Sequence, residues 1–320
     1  MSRKIVYLDP NKWIALAKAA KNPNQKGEAR SALEFLVEQR KAGRILLPLT
    51  ATNVYETSKI NNPERRFDLA YCMTTLGGAH VFRGRHRRLE VEIVDTVRRA
   101  YGMPPLKRDD EWFLSQVFYE ATAEWDDARF GSIVSEKLHN FAKANPQEFL
   151  FRFLMETPEE IRTEAVRRFS QGVDGVRQGV EDRRVRDAGE KETLRRNFQN
   201  AMLMMNEIDE IRTWVTKAEV PGVSVSDILQ KQARRIMNET PTYFIERELA
   251  LRLEGQHNRP IQENDFRDMQ SFCAVIAYSD IVIAENQFTS LARQAGLNSK
   301  YGATLTTSFA KMMEVLATLD

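Results

Sequence analysis

Asp9 closes an apolar run, KIVYLD (4–9), and Glu285 closes another, DIVIAE (280–285). A buried strand that ends in an acid delivers a carboxylate to the rim of a sheet. Two more acids lie in helical segments near such a rim. Glu56 follows RILLPL (44–49) in a helix carrying Val54, Tyr55 and Ile60, and Asp268 lies early in NDFRDMQSFCAVIAY (264–278). In an open parallel sheet, the ligand crevice forms at the carboxyl ends of the strands. Carboxylates gathered there repel one another and lose solvation, so the group calls for a bound cation. An all-oxygen donor set suits Mg²⁺ or Mn²⁺. Those ions activate water and stabilise charge at a phosphodiester.

Each acid has a competing role. Asp9 can end its strand and cap the next turn, and Glu56 can belong to a solvated helix face. Asp265 shares the sequence D-F-R-D with Asp268 and can be an N-cap or a first-turn charge favoured by the helix dipole. Asp268 is the preferred site residue of the two. Asp280 begins the strand that Glu285 ends, so it is expected to make a structural hydrogen bond. Asn11 and Asn53 can position water or phosphate beside the acids, with plain surface polarity as the equal alternative.

Strands and helices must place these groups. The pattern predicts a strand over 4–9, a helix from Trp13, a loop at NPNQKG (22–27) and a helix over 29–41 stopped by Gly43 in the C′ position. A strand over 44–49 follows, then a helix capped by Thr50 or Thr52. AHVF (79–82), after Gly77-Gly78, reads as a third strand. From about 86 to 255 the chain reads as helical throughout. Strand and helix alternate again near the end: a helix over 264–278, a strand over 280–285, a helix from Asn286 to Gly296, a short strand near 302–306 and a helix over 307–319. Strands separated by helices imply parallel pairing and right-handed crossovers. The expected fold class is therefore α/β, a parallel sheet flanked by helices and built from residues 1–85 and 261–320, with an all-helical insertion over 86–260.

Composition narrows the chemistry further. Of the 320 residues, 42% are hydrophobic and 29% charged, a globular and not a disordered balance. Cys72 and Cys273 are the only cysteines and make no C-x-x-C, which excludes a thiolate zinc site. The four histidines are scattered with no H-x-x-x-H pair. No apolar run approaches the roughly 20 residues of a membrane helix. The first residues, MSRKIVYLDPNKW, lack a signal-peptide core, so a cytoplasmic location and no membrane partner are expected. A net charge of +2 does not decide for or against nucleic acid. FRGRHRR (82–88) places Arg83, Arg85, Arg87 and Arg88 after the third strand as candidate phosphate contacts. RRVRDAGEKETLRR (183–196) is a weaker candidate, and AMLMMN (201–206) reads as helix packing.

YLDPNKWIALAKA, PLTATNVYETSKI and NDFRDMQSFCAVIAYSDIVIAENQF together resemble the three signature segments of PIN-like domains. The resemblance covers about residues 1–85 and 260–320. It implies a PIN-like fold and a metal-dependent endonuclease that usually acts on RNA. Asp9, Glu56, Asp268 and Glu285 occupy the places of the four acids in order, and the same resemblance keeps Asp280, after Tyr278-Ser279, on the list. In the fourth place Glu stands where Asp is usual, and the long insertion is unlike compact members. The implied cofactor is Mg²⁺ or Mn²⁺, and the implied products carry 5′-phosphate and 3′-hydroxyl ends. A DNase with the same acids, or a non-catalytic scaffold whose insertion binds a protein, are the alternatives. Family habit adds a homo-oligomer or a regulatory protein partner.

Overall fold

Ile5, Val6, Tyr7 and Leu8 are all buried, and together with Lys4 they form the first strand of the sheet, β1 (Lys4–Leu8). The computed structural model describes residues 3–22, 24, 26–127, 134–257 and 259–318. Pro10 opens α1 (Pro10–Lys21), three residues before the start expected at Trp13. The fixed φ and missing N–H of proline suit the first helical position. α2 (Glu28–Lys41) follows, and Gly43 leaves it at φ 67°, a left-handed conformation that glycine adopts freely. β2 (Ile45–Leu46) leads to α3 (Ala51–Ser58), where Thr50 and Asn53 form a reciprocal capping box. α4 (Pro63–Gly77) and β3 (Val81–Phe82) complete this stretch.

The middle of the chain is mostly helical. It runs through α5 (Arg85–Ala100), a short strand β4 (Leu114–Ser115), a 3-10 turn at Phe118–Ala121, α6 (Glu136–Ala144), α7 (Pro146–Glu156) and α8 (Glu159–Arg186). α9 (Glu192–Asn206), α10 (Ile208–Thr216), α11 (Val225–Glu239) and α12 (Pro241–Glu254) follow. The last segment holds α13 (Glu263–Val275), β5 (Ile281–Ile283), α14 (Asn286–Gln294), α15 (Leu297–Tyr301), β6 (Thr304–Thr306) and α16 (Phe309–Ala317).

Four strands pair in the order β2-β1-β5-β6, every pair parallel, so the chain is a mixed α/β protein. Val6, Tyr7 and Leu8 lie opposite Ile281, Val282 and Ile283, which joins the two ends of the chain at the centre of the sheet. The strand expected near 79–82 does not enter this parallel sheet as a full member. It pairs antiparallel with β4 and touches Leu49 through a single parallel bridge. β4 itself lies inside the stretch read as wholly helical; two residues are too few to show alternation.

Two compact units divide the chain. The first takes residues 1–84, 113–174 and 263–320, and the second takes 85–112 and 175–262. Residues 113–174 therefore pack with the terminal segments, whereas the sequence pattern grouped them with the rest of 86–260. In the first unit, Trp13, Leu16, Leu36, Leu47, Met73, Leu150, Leu154 and Met312 share one core. Each such side chain contributes roughly 1.5–3 kcal/mol by leaving water. In the second unit, Leu89, Ile93 and Val97 recur on one face of α5 and join a core with Trp214, Ile228, Ile236 and Tyr243. Arg184, expected as a weak phosphate contact, is buried there. It donates to the carbonyl of Leu253 in the last turn of α12 and to that of Gln256 just beyond the helix, each at 3.0 Å. Among the described residues, no helix is long and apolar enough to cross a membrane.

Candidate acidic active site

The chain runs from β1 outward to β2, and from β5 outward to β6 on the other side. The crevice where these directions part lies at the carboxyl ends of β1 and β5, the usual ligand position in such a sheet. Asp9 follows β1 directly, and Glu285 stands two residues past β5 as the N-cap residue of α14. The backbone ties the two loops together, with the Asp9 N–H donating to the Ile283 carbonyl at 3.0 Å. Asp9 is buried, and its Oδ1 accepts from the Lys12 N–H at 3.0 Å. The capping role and the site position are thus held by one residue.

Asp268 lies in the second turn of α13 and faces the same charges. Its carboxyl is pushed up to about 7, first by burial and then by the Asp9, Glu285 and Asp265 carboxylates. Burial likewise pushes Asp9 up to about 6; the Lys12 N–H and ammonium oppose the rise, and the Glu285 charge adds to it. Asp9, Asp268 and Glu285 therefore act on one another as a group. Asp265 belongs beside them: it is buried in the first turn of α13, and its Oδ1 accepts from Gln287 Nε2 at 2.9 Å.

Glu56 is placed differently. Its carboxylate is paired with Arg267, and Arg267 also holds Glu263 at 2.7 Å. The guanidinium lies 5.9 Å from the ring centroids of both Tyr55 and Phe169. The structure therefore brings three of the four expected acids together and holds the fourth in an ion pair on the adjoining face of α13. Arg267 escaped the sequence reading, although Glu263 and Arg267 at i,i+4 are a visible pairing signal.

The supporting residues sort themselves by partner. Asn11 donates from Nδ2 to Glu285. Asn53 is buried and structural: its Oδ1 accepts from the Thr50 N–H at 2.8 Å and its Nδ2 donates to the Leu8 carbonyl at 3.3 Å. Neither water positioning nor surface polarity describes it. Asp280 accepts from the Ile5 N–H at 2.8 Å and from Lys4 Nζ at 3.0 Å, the structural role expected of it. Below the acids, the buried Tyr7 phenol lies beside Ser271 and Thr50, and burial raises its pKa far above the usual value. That hydroxyl group also went unread in the sequence.

The arginines of 82–88 are engaged within their own units. Arg83 pairs with Glu120 at 2.7 Å and with Glu124. In the second unit, Arg85 pairs with Glu207 at 2.8 Å and with Glu246 at 2.5 Å, Arg87 pairs with Glu90 at 3.1 Å, and Arg88 is buried. These contacts pair Arg83, Arg85 and Arg87 with carboxylates, while the Arg85 and Arg87 side chains stay 39% and 40% exposed.

No protein-family model, curated protein or solved structure matches this chain. The site is therefore read from its own geometry. Among the described residues, no three His, Cys, Asp or Glu side chains are spaced to hold a metal ion as they stand. The chemistry of the donor set nonetheless fits a hard divalent cation. Asp9, Asp268 and Glu285 are all oxygen donors, two of them carry carboxyls raised by burial and mutual repulsion, and a cation would relieve both causes.

Proposed function

We propose that this chain is a metal-dependent nuclease that hydrolyses phosphodiester bonds in RNA, with Asp9, Asp268 and Glu285 as the residues that hold Mg²⁺ or Mn²⁺. The observation that carries the reading is the coupling of these carboxylates at the switch point between β1 and β5. It agrees with the PIN-like resemblance of the segments around the same residues, which also favours RNA over DNA. When bound, the ion supplies Lewis acidity and lowers the pKa of water at a scissile phosphate. Asp9 is oriented for binding by the Lys12 N–H, and Glu285 by the Asn11 amide. Asp265 adds negative charge to the group and, through Gln287, ties the start of α13 to α14.

Incubation of the protein with total RNA and Mn²⁺, beside Asp9→Asn and an EDTA control, tests this. Cleavage by the wild type alone, and only with metal, is expected. Cleavage undiminished in Asp9→Asn would refute the assignment, and matched RNA and DNA oligonucleotides separate a ribonuclease from a DNase. A second reading has one specific observation in its favour. With Glu56 held by Arg267, the acid set is short of one member, as suits a PIN-like scaffold that binds a protein partner without cleaving. Tight Mn²⁺ binding that depends on Asp9 and Asp268 would argue against it.

A further inference from the structure

The nuclease reading leaves open where a polynucleotide would lie, since the arginines of 82–88 are turned to carboxylates of their own units. A different face of the first unit carries the right chemistry. On α4, Phe67 and Tyr71 are one helical turn apart and stacked, with ring planes 3° apart and centroids at 6.0 Å. Both rings are largely in solvent, 47% and 57% exposed. Large exposed apolar groups placed side by side mark an interaction site more often than a lone one does. Phe151 supports Phe67 from the side in an edge contact at 5.7 Å, so the pair is braced.

A hollow opens on each side of the pair. One, of about 360 Å³, is lined by Lys21, Pro63, Glu64, Phe67, Asp68 and Met155. The other, of about 430 Å³, is lined by Leu33, Val37, Tyr71 and Leu76, with Arg40 and Lys41. Both fall in the size range of ligand pockets. Lys21 shares its charge with Asp68 at 2.8 Å and with Glu64 at 3.9 Å, so the cationic excess among the lining residues comes from Arg40 and Lys41, and Lys18 adds an exposed cation on α1.

α1 links this face to the acids. Asp9 caps its start and Asn11 touches Glu285, while Lys18 and Lys21 stand in its last turn. Asn11 and Lys18 are seven residues apart, on one face of the helix, and both are exposed. Twelve helical residues span about 18 Å, so the rings and the acids lie within reach of one short strand of nucleic acid.

We infer that the α1–α4 face is a track for single-stranded polynucleotide, with Phe67 and Tyr71 stacking bases and Lys18 and Lys41 meeting phosphates. The inference rests on the nuclease reading for its direction toward Asp9, but binding on the track is independent of catalysis. Flat rings stack on any base, and cations beside them follow the backbone, which gives affinity with little sequence preference. A protein partner would use the apolar rings but would have no need of the lysines.

The test is fluorescence anisotropy of a labelled oligouridylate of about 12 nucleotides, within the usual footprint of a single-strand site. It uses the full chain in EDTA, with a matched oligothymidylate as the second arm. The double variant F67L/Y71L, which keeps apolar bulk but removes the flat rings, is expected to weaken binding at least tenfold with an unchanged circular dichroism spectrum. K18A/K41A is expected to weaken binding and to lower the salt slope by about one to two. Wild-type affinity in F67L/Y71L would overturn the track. If Mn²⁺-dependent cleavage still required Asp9, the nuclease reading would survive that loss. Absence of both binding and cleavage on RNA and DNA would overturn track and nuclease together. Ring-dependent self-association without oligonucleotide binding would replace the track with a protein interface.

Discussion

Asp9 and Asp268 carry protons at pH values where exposed aspartates are fully ionised, and this links the site to stability. Both folded-state pKa values are raised, to about 6 and about 7, above the ordinary carboxylate range. A raised acid stabilises the fold while it is protonated, and that contribution is lost as pH rises through the folded-state value. Metal-free protein should therefore lose stability as pH rises from about 4 to about 7. Asp268→Asn should raise the thermal midpoint by a few degrees at pH 8 in EDTA and by less at pH 5, as read by calorimetry. Added Mn²⁺ should stabilise the wild type at pH 8 and leave Asp268→Asn much less affected, because binding to the folded state alone raises its midpoint. An unchanged ranking of the two proteins with and without metal would show that Asp268 is no ligand. Arg267 makes a different residue-scale case. Arg267→Ala removes the cation that Glu56 and Glu263 share, leaving Glu56 only Lys59 at 3.9 Å, and removes the group beside Tyr55 and Phe169. A loss of about 2–3 kcal/mol in urea unfolding is expected.

At the scale of elements, the start of α3 and the end of β1 are one unit held by Asn53. Its side chain closes the capping box with Thr50 and reaches the Leu8 carbonyl, the last group before Asp9. Asn53→Ala removes both bonds inside the core, so a loss of about 1–3 kcal/mol is expected in urea unfolding. On the proposed nuclease reading, RNA cleavage should fall more than stability explains, because Asp9 would lose the brace behind it. Equal kcat per folded molecule would show that the brace does not matter to the site. The helix ends were legible to within a residue or two: Thr50, one of two threonines expected to cap α3, and Gly43 after α2 are local signals that need no distant partner. β4 was not legible, because its two residues pair with β3 across the whole of α5.

Across the whole molecule, the two compact units have separate cores, one around Trp13 and one around Trp214. Trp214→Ala empties a buried site in the second and should cost about 3–5 kcal/mol there. Hydrogen exchange should then speed up at amides of α5, α10 and α11, while β1 and β5 keep their protection. Equal acceleration in both units would mean that they unfold as one.

The sequence by itself determined the α/β class, the strands that carry Asp9 and Glu285, and the structural role of Asp280. Each depends on short-range patterns: apolar runs, an acid at a strand end, a breaker beyond it. Asp268 could be preferred over Asp265 from position alone, although the fold keeps both near the acids. Only the tertiary structure decided that Glu56 meets Arg267, that the arginines of 82–88 meet glutamates, and that residues 113–174 pack with the chain ends. The physical reason is separation along the chain. Glu56 and Arg267, Arg83 and Glu120, and Arg85 and Glu246 lie tens to hundreds of residues apart, and the apolar contacts of Leu150 and Leu154 with the core around Trp13 are equally long-range, so no local periodicity can point to them.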